Sequence, residues 1–230
     1  MTDSPNAPAE NRPSRWAPLV YRPPTDPWLS PLHVDDDLIV LDKPSGLLTV
    51  PGKAEGLEDC LAARAEGEWP GARIVHRLDM DTSGVIVLAR NAAAHRHLGM
   101  QFEKRQTRKS YVARVAGRMA EDEGLVDLPL RCDWENRPLQ MVCHEEGRAA
   151  QTNWIVTARE EDATRVELMP VTGRSHQLRV HMLTLGHPIL GDPFYGDRES
   201  APRLQLHAET LYLRHPTGGA WHGFHADCPF

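Results

Sequence analysis

Long apolar runs, paired cysteines and nucleotide-binding loops are all absent from this sequence of 230 residues. No stretch approaches the roughly 18 apolar residues that a membrane-spanning helix requires. The N-terminal residues contain no apolar core of a secretory signal. The four cysteines form no CxxC pair, which argues against a zinc knuckle or a dithiol redox motif. We therefore expect a cytoplasmic protein with free thiols and no membrane partner.

Signatures of cofactor and metal chemistry are missing as well. Neither GxGxxG nor GxxxxGK[ST] occurs, so no loop that cradles a nucleotide phosphate is expected. No GxSxG elbow of a serine hydrolase occurs either. His176 and His181 are five residues apart in a segment without acids, whereas helical zinc pairs need a spacing of four and a carboxylate. The sequence predicts neither a cofactor nor a metal ion. His176 is instead expected to form hydrogen bonds with a loop of the protein or with a phosphate group.

Acidic and basic residues are segregated along the chain, although the net charge is -6. The acids gather in short runs such as 35–37 and 121–123. Residues 101–118 hold six basic residues against the single acid Glu103, a local balance of +5. One basic surface can therefore face a polyanion while acidic loops point elsewhere. The six basic residues are Lys104, Arg105, Arg108, Lys109, Arg114 and Arg118.

Hydrophobic periodicity and turn residues predict an α+β fold. Predicted strands outnumber predicted helices and are joined by short links, which favours a mixed, mostly antiparallel central sheet flanked by a few helices and loops. Strands are predicted at 38–41, 47–50, 84–90, 109–117, 151–158, 165–171 and 204–216. Helices are predicted at 59–65, from a cap at Asn91 through 92–105, and at 175–186.

Composition divides the chain into two parts. Residues 1–27 contain seven prolines and few large aliphatic residues, which predicts a flexible tail. Residues 28–230 are expected to form a single catalytic domain, because this length suits one core of ordinary size.

Asp79 is the most conspicuous candidate for chemistry. It lies in VHRLDMDTSGVIVLAR, residues 75–90, at the mouth of the buried run 85–88 and two residues after Arg77. A carboxylate near an arginine is most often half of a structural ion pair. It can also be a nucleophile or base that the guanidinium keeps ionised in an apolar pocket. Spacing alone leaves both readings open.

Five segments, in order, resemble the RluA-type pseudouridine synthases. HRLDMDTSG at 76–84 matches the HRLD-x-x-TSG signature of that family. The resemblance runs from about residue 28 to the C-terminus. GLVDLPLRCDWENRP at 124–138 is closest to short, dual-specificity members that modify a 23S ribosomal RNA loop and a tRNA anticodon stem-loop. The other matching segments are DKPSGLLTVPG, KSYVARVAG, VTGRSHQLRVHMLTLGHPILGDPFYG and LQLHAETL.

The resemblance assigns roles to individual residues. It implies that Asp79 is the catalytic carboxylate, that Arg179 pairs with it, and that Tyr111 stacks on the target uracil. Arg77 is implied to enter the gap that the flipped nucleotide leaves, and Leu206 to contact the base. Further contacts with substrate phosphates are expected from Lys104, Arg105, Arg108, Lys109, Arg174 and His176.

The implied reaction isomerises uridine in structured RNA loops without a cofactor. The aspartate either attacks the ribose C1′ atom or removes a C2′ proton, and the sequence does not choose between these mechanisms. In both, Arg179 is expected to hold Asp79 ionised through a bidentate pair. Flipping the target base costs a few kcal/mol, which stacking on Tyr111 offsets by about 1–3 kcal/mol.

Two other functions compete with this hypothesis. A non-catalytic RNA-binding or RNA-folding module on the same fold is the first, and intact Asp79, Arg179 and Tyr111 argue against it. A glycoside hydrolase is the second, and it needs a second acid, for which only Asp81 is available locally. Asp81 is expected to point away from the site. The expected partner is ribosomal or transfer RNA, bound by a monomer without metal.

Overall fold

The computed structural model describes residues 20–230, which contain twelve strands and three α-helices. The helices are α1 Leu61–Glu68, α2 Ala92–Glu103 and α3 Gln177–Thr184. The strands are β1 Pro31–Val34, β2 Leu38–Lys43, β3 Arg73–Ile74, β4 Ser83–Ala89, β5 Arg108–Ala116, β6 Glu123–Asp127, β7 Leu130–Cys132, β8 Gln140–Val142, β9 Gln151–Arg159, β10 Ala163–Pro170, β11 Leu206–Arg214 and β12 Trp221–His225.

Ten of the strands form one sheet, and β7 and β8 form a separate hairpin. The main order is β1-β2-β4-β11-β5-β10-β9-β6, with β3 added to β4 and β12 added to β11. Every pairing is antiparallel except that of β11 with β4, where His207 pairs with Ser83 and Ala208 with Gly84. This mixed, mostly antiparallel sheet confirms the predicted α+β class.

Strand β4 and helix α2 follow the local signals of the sequence. All seven residues of β4 are buried, as a continuous aliphatic run between two neighbouring strands requires. The Asn91 side chain accepts a hydrogen bond from the Ala94 N–H at 2.8 Å, so it caps α2 as predicted. Helix α3 ends just before Gly186, whose φ of +80° suits a residue without a side chain.

Two local predictions were wrong. Residues 47–50 form an irregular loop rather than a strand, because other groups bind their carbonyl oxygens. The Lys43 amine donates to the Leu47 carbonyl, and the Leu61 N–H donates to the Leu48 carbonyl. Helix α1 covers 61–68 rather than 59–65, since the Cys60 sulfur caps it by accepting from the Ala63 N–H.

The core consists of clusters that meet beside β5 and β11. Helix α3 packs with β5, β9 and β10, whereas α1 packs with β2 and β4. Tyr111 on β5 contacts both of these clusters. Helix α2 packs in a third cluster with β4 and the C-terminal half of β11. The junction of the clusters is where the candidate site lies.

The predicted tail, residues 1–27, falls mostly outside the described residues, which begin at 20. Within its described part, the Tyr21 hydroxyl donates to the Asp59 carbonyl at 2.7 Å and accepts from the Leu48 N–H. Contacts with the folded domain thus start at least seven residues before the predicted boundary. None of the helices within residues 20–230 has the length and apolar character that crossing a membrane requires.

Candidate active site

Asp79 lies on the turn that leads into β4. The Thr82 N–H donates to the Asp79 carbonyl at 3.2 Å and closes this turn. At Gly84 the turn passes so close to β11 that an added Cβ would lie 2.2 Å from the Ala208 oxygen, at a φ of +112°. Only glycine fits there, and this close approach fixes the turn that carries Asp79 against the sheet.

Lys43 holds the turn from beneath. Its side chain is fully buried, and its amine donates to the carbonyl oxygens of Pro44, Leu47 and Met80 at 2.7–2.9 Å. Burial lowers the pKa of Lys43 to about 7, although the charges of Asp81 and Asp79 act in the opposite direction. The sequence pattern predicts no role for Lys43, and its place in the KPSG segment was the only signal.

Arg179 reaches the site from α3 and lies between two carboxylates. Its Nη1 atom is 3.4 Å from the Asp79 Oδ2 atom, although 100 residues separate the two in the chain. Its Nε and Nη2 atoms donate to the two oxygens of Asp192, each at 2.7 Å. The expected bidentate pair with Asp79 is therefore wrong. The bidentate partner is Asp192, which leaves one longer contact for Asp79.

Asp192 is a residue that the sequence analysis missed. Its side chain is fully buried, and besides Arg179 it accepts the N–H groups of Phe194 and Tyr195 at 2.9 and 3.1 Å. Burial alone would lower the pKa of Arg179, but the hydrogen bonds and charge of Asp192, together with Asp79, raise it above its usual value. Arg179 thus remains cationic and rigidly oriented. The GD pair of the LGDPFYG segment, residues 191–192, was the sequence signal available for Asp192.

A cleft of about 730 Å³ opens above Asp79. This volume lies within the range of pockets that bind small ligands, about 300–1,000 Å³. Nine of the eleven predicted site residues line it. They are Arg77, Asp79, Arg105, Lys109, Tyr111, Arg174, His176, Arg179 and Leu206. Lys104 and Arg108 are exposed but do not line the cleft.

Tyr111 and Leu206 contribute apolar surface to the cleft from adjacent strands. Tyr111 pairs with Ala208, and Leu206 pairs with Ala113, so the two side chains lie on the same face of the sheet. Burial raises the pKa of the Tyr111 hydroxyl, and the charge of Asp79 raises it further. Tyr111 therefore stays neutral and presents an uncharged ring beside the carboxylate.

Cations surround this apolar floor. Burial lowers the pKa of the Lys109 amine, which forms no ion pair with any carboxylate of residues 20–230. Arg77 and Arg105 are exposed at the edge of the cleft and are likewise free of ion pairs within the described chain. Arg174 donates to the Ala149 carbonyl, and Arg148, which was not predicted, also lines the cleft. The charges around the cleft suit a polyanion.

The two histidines in the cleft are held by other protein groups. The His76 Nε2 atom accepts the Val87 N–H at 3.1 Å, and its ring stacks on Phe102. Burial lowers the pKa of His76 to about 3, so the ring is neutral. The His176 Nδ1 atom is 2.7 Å from the Tyr195 hydroxyl. Within residues 20–230, no group of three or more His, Cys, Asp or Glu side chains is arranged to hold a metal ion.

Comparison with known proteins identifies the family. Residues 37–184 match the family model described as RNA pseudouridylate synthase. The chain belongs to this family. The dual-specificity RNA pseudouridine synthase RluA of Salmonella typhi is 56% identical over 203 residues, which cover 86% of this chain and 93% of that protein. RluA of Escherichia coli strain K12 is 55% identical over 214 residues, covering 91% of this chain and 98% of that protein.

A solved structure supports the same relationship. Human RNA pseudouridylate synthase domain containing 1 superimposes with a TM-score of 0.72 at 29% sequence identity, covering 88% of this chain and 84% of that chain. As an RNA pseudouridylate synthase, the chain is an isomerase that acts on RNA. The predicted family and enzyme class are thereby confirmed.

The geometry suits the chemistry of an RNA pseudouridylate synthase. Asp79 is about one-third exposed, at 31% of its side chain, whereas Arg179 behind it is 2% exposed. The carboxylate is therefore open to a ligand while its partner cation is sealed in the protein. Asp81, two residues on, does not line the cleft, and burial raises its pKa. One carboxylate thus lies beside the buried guanidinium and faces the cleft.

Proposed function

We propose that this protein converts uridine to pseudouridine in both ribosomal and transfer RNA, with Asp79 as the catalytic carboxylate. The single observation that carries the assignment is the accessible Asp79 carboxylate, 3.4 Å from the buried Arg179 guanidinium at the base of the cleft. The dual specificity rests on relatives that are named dual-specificity enzymes and share more than half of their residues with this chain.

Asp79 acts as an anion in either form of the reaction. It attacks the ribose C1′ atom, displacing uracil from its N1 atom, or it removes the C2′ proton so that the glycosidic bond can break. The freed uracil then rotates and bonds to C1′ through C5. This step breaks the bond between C1′ and the Asp79 carboxylate in the first form, or returns the proton to C2′ in the second, and in both forms C5 loses its proton while N1 gains one. Arg179, held by Asp192, directs one N–H at Asp79 and favours its charged form. A partner without charge would not favour the charged form of Asp79 in this way.

The target uridine must leave its stack to reach Asp79. In our proposal the uracil lies on the Tyr111 ring and against Leu206, two uncharged side chains that line the cleft with the carboxylate. Stacking on the aromatic ring contributes about 1–3 kcal/mol, which offsets much of the flipping cost. Arg77, exposed and free of ion pairs within the described chain, stacks in the vacated gap. Planar cations are well suited to that role.

The cations around the cleft bind the phosphates of the RNA. Lys109 is the strongest candidate, because its partly buried amine lines the cleft and has no carboxylate partner among the described residues, and a phosphate would supply the missing anion. Arg105 and Arg174 extend this surface along the cleft.

We further propose that residues 28–230 act as one catalytic domain, as a cytoplasmic monomer without a metal ion. A non-catalytic module that only binds RNA would not require the accessible Asp79 carboxylate, so this feature favours the enzyme.

The test replaces the carboxylate without changing its shape. Asp79→Asn is expected to abolish pseudouridine formation on in-vitro transcripts of 23S ribosomal RNA fragments and tRNA, while RNA affinity by fluorescence anisotropy stays within a few-fold. Asp81→Asn is the matched control, since it makes the same change on the same turn outside the cleft. Substantial turnover by Asp79→Asn would refute the assignment. Turnover of one RNA class alone by the wild type would refute dual specificity.

A further inference from the structure

A second surface with the character of an RNA contact lies outside the cleft, where β5 begins and β11 ends. We call it the Trp221 patch; it consists of Arg108, Tyr212, Arg214 and Trp221. Tyr212 pairs with Arg108 on β5, and Arg214 pairs with Trp221 on β12, so these side chains share one face. Trp221 is 45% exposed and Tyr212 47% exposed. Two aromatic rings are thus open to solvent between two cations.

The patch faces away from the cleft. Lys109 lines the cleft and pairs with Leu211, which is buried. Successive residues of a strand point to opposite faces, so Arg108 and Tyr212 point to the other side of the sheet. Gly223 pairs with Tyr212, and a Cβ there would lie 2.5 Å from the Tyr212 ring, so this ring lies over the glycine. This face of the sheet therefore presents two aromatic rings and two guanidinium groups to solvent.

The cations of the patch are not neutralised by the protein. The Arg108 and Arg214 guanidinium carbons lie 5.5 and 4.9 Å from the centre of the Trp221 ring. Neither arginine forms an ion pair with a carboxylate of residues 20–230, and the Arg214 guanidinium donates to the Gly219 carbonyl. By contrast, five other arginines of the described chain pair with acids. They are Arg64, Arg114, Arg131, Arg159 and Arg179.

The patch and the cleft lie at the same end of the sheet, on opposite faces. Arg108 is the chain neighbour of Lys109, which lines the cleft. The Gln101 side chain joins the last turn of α2 to the end of β11, since it donates to the Arg214 carbonyl and accepts the Arg214 N–H, both at 2.8 Å. Arg105 follows this turn at the edge of the cleft. An RNA strand that leaves the cleft past Arg105 therefore meets the patch after crossing the end of β5.

We propose that the Trp221 patch binds unpaired nucleotides of the substrate RNA outside the target loop, with a base stacked on Trp221 and phosphates on Arg108 and Arg214. This inference rests on the proposed function, since it extends the footprint of the same RNA. Exposed rings flanked by unpaired cations are the usual means of holding single-stranded nucleic acid without reading its sequence. The uncompensated positive charge favours a polyanion over an apolar protein partner.

The experiment compares a complete tRNA transcript with its isolated anticodon stem-loop, both converted by the wild type. Trp221→Ala is expected to raise the Kd of the complete transcript by about fivefold, the low end of the contribution of one aromatic–base stack. The Kd of the isolated stem-loop is expected to change little. Trp221→Phe keeps a ring and should retain most of the affinity. Arg108→Ala and Arg214→Ala should each reduce the slope of log K against log salt by about 0.7.

Matched controls lie elsewhere on the surface. Leu125→Ala removes an exposed apolar side chain on β6, at the far edge of the sheet. Arg198→Ala removes an exposed cation on the segment before β11. Both should leave the Kd and the salt slope unchanged. Equal losses on both RNAs, or no loss with Trp221→Ala, would overturn the inference. So would a change of oligomeric state in sedimentation, which would make the patch an interface between copies. Absence of conversion by the wild type would instead refute the proposed function.

Discussion

The Arg179–Asp192 pair provides the sharpest test of how the site is held. Asp192→Asn keeps the size of the side chain but removes its charge and turns one acceptor into a donor. The two N–H groups of Arg179 that face Asp192 then compete for a single oxygen. One N–H group loses its acceptor, and the contact with Asp79 at 3.4 Å becomes the only one that the buried guanidinium makes with an anion of the described residues. We expect a loss of both stability and activity.

The magnitude follows from burial. Arg179 is 2% exposed and Asp192 is 0% exposed. Breaking a buried pair by removing one charge costs about 3–5 kcal/mol, because the remaining charge is left uncompensated. For a domain of this size, each kcal/mol lowers Tm by about 2–4 °C, so a fall of about 6–20 °C is expected. The rate of pseudouridine formation should fall about tenfold or more, since 1.4 kcal/mol of lost orientation suffices for that factor.

The chain contains a matched pair at the surface. Arg114 donates through Nε and Nη2 to the two oxygens of Glu160, in the same bidentate arrangement. Those side chains are 28% and 40% exposed. Glu160→Gln should therefore cost only about 0–1 kcal/mol. Urea and thermal unfolding followed by circular dichroism measure both variants, and single-turnover kinetics on a tRNA transcript measure activity. If the two substitutions destabilise the protein equally, burial of the pair does not hold the site and the reasoning fails.

Further predictions concern other contacts of the site and fold. Lys43→Met leaves three carbonyl acceptors without their donor, so the free energy of unfolding from urea titration should fall by about 3 kcal/mol or more, and an unchanged value would remove Lys43 from the support of Asp79. Arg105→Ala should reduce the salt slope of RNA binding by about one phosphate contact, and Lys104→Ala by less, because only Arg105 lines the cleft; the reverse order would contradict the assigned surface. Burial lowers the pKa of His215, but its hydrogen bonds with Thr217 and Asp35 outweigh this and raise the pKa above its unfolded value. Its stabilisation is therefore complete below the unfolded pKa of about 6.5 and is lost as pH rises through the higher folded pKa. In His215→Gln the loss of stability as pH rises above about 6.5 should be smaller than in the wild type, and identical pH profiles of the unfolding free energy would contradict this role of His215.

Local signals predicted much of the fold but not the partners of individual side chains. The aliphatic run of β4 and the Asn91 cap act over a few residues, so composition suffices to predict them. The carbonyls of residues 47–50 are used by Lys43 and by the start of α1, and such bonds leave no trace in a hydrophobic pattern. The strand predicted there was wrong for that reason. Tertiary hydrogen bonds outweighed local propensity.

The candidate site shows the same division. Alternation along β5 puts Lys109 and Tyr111 towards the cleft and Arg108 away from it. The same alternation, extended one residue back from KSYVARVAG to Arg108, could have separated Arg108 from Lys109. The pairing of Arg179 with Asp192 was not predictable in this way. Asp79 and Asp192 flank the Arg179 guanidinium only after the segment that carries Asp192 has folded back on α3. The periodicity of the sequence does not indicate which of the two carboxylates forms the bidentate pair.

The two carboxylates around Arg179 have different surroundings, and that difference explains how one cation serves the site. Asp192 is sealed in the protein and takes both parallel N–H bonds, so it fixes the orientation of the guanidinium. The remaining N–H points to Asp79 at a longer distance, which supports its charge without occupying both of its oxygens. A bidentate bond to Asp79 would hold the anion more tightly and leave it less free to meet a ribose. The looser contact therefore favours a reactive carboxylate, and Asp192 makes that looseness possible by holding Arg179 in place.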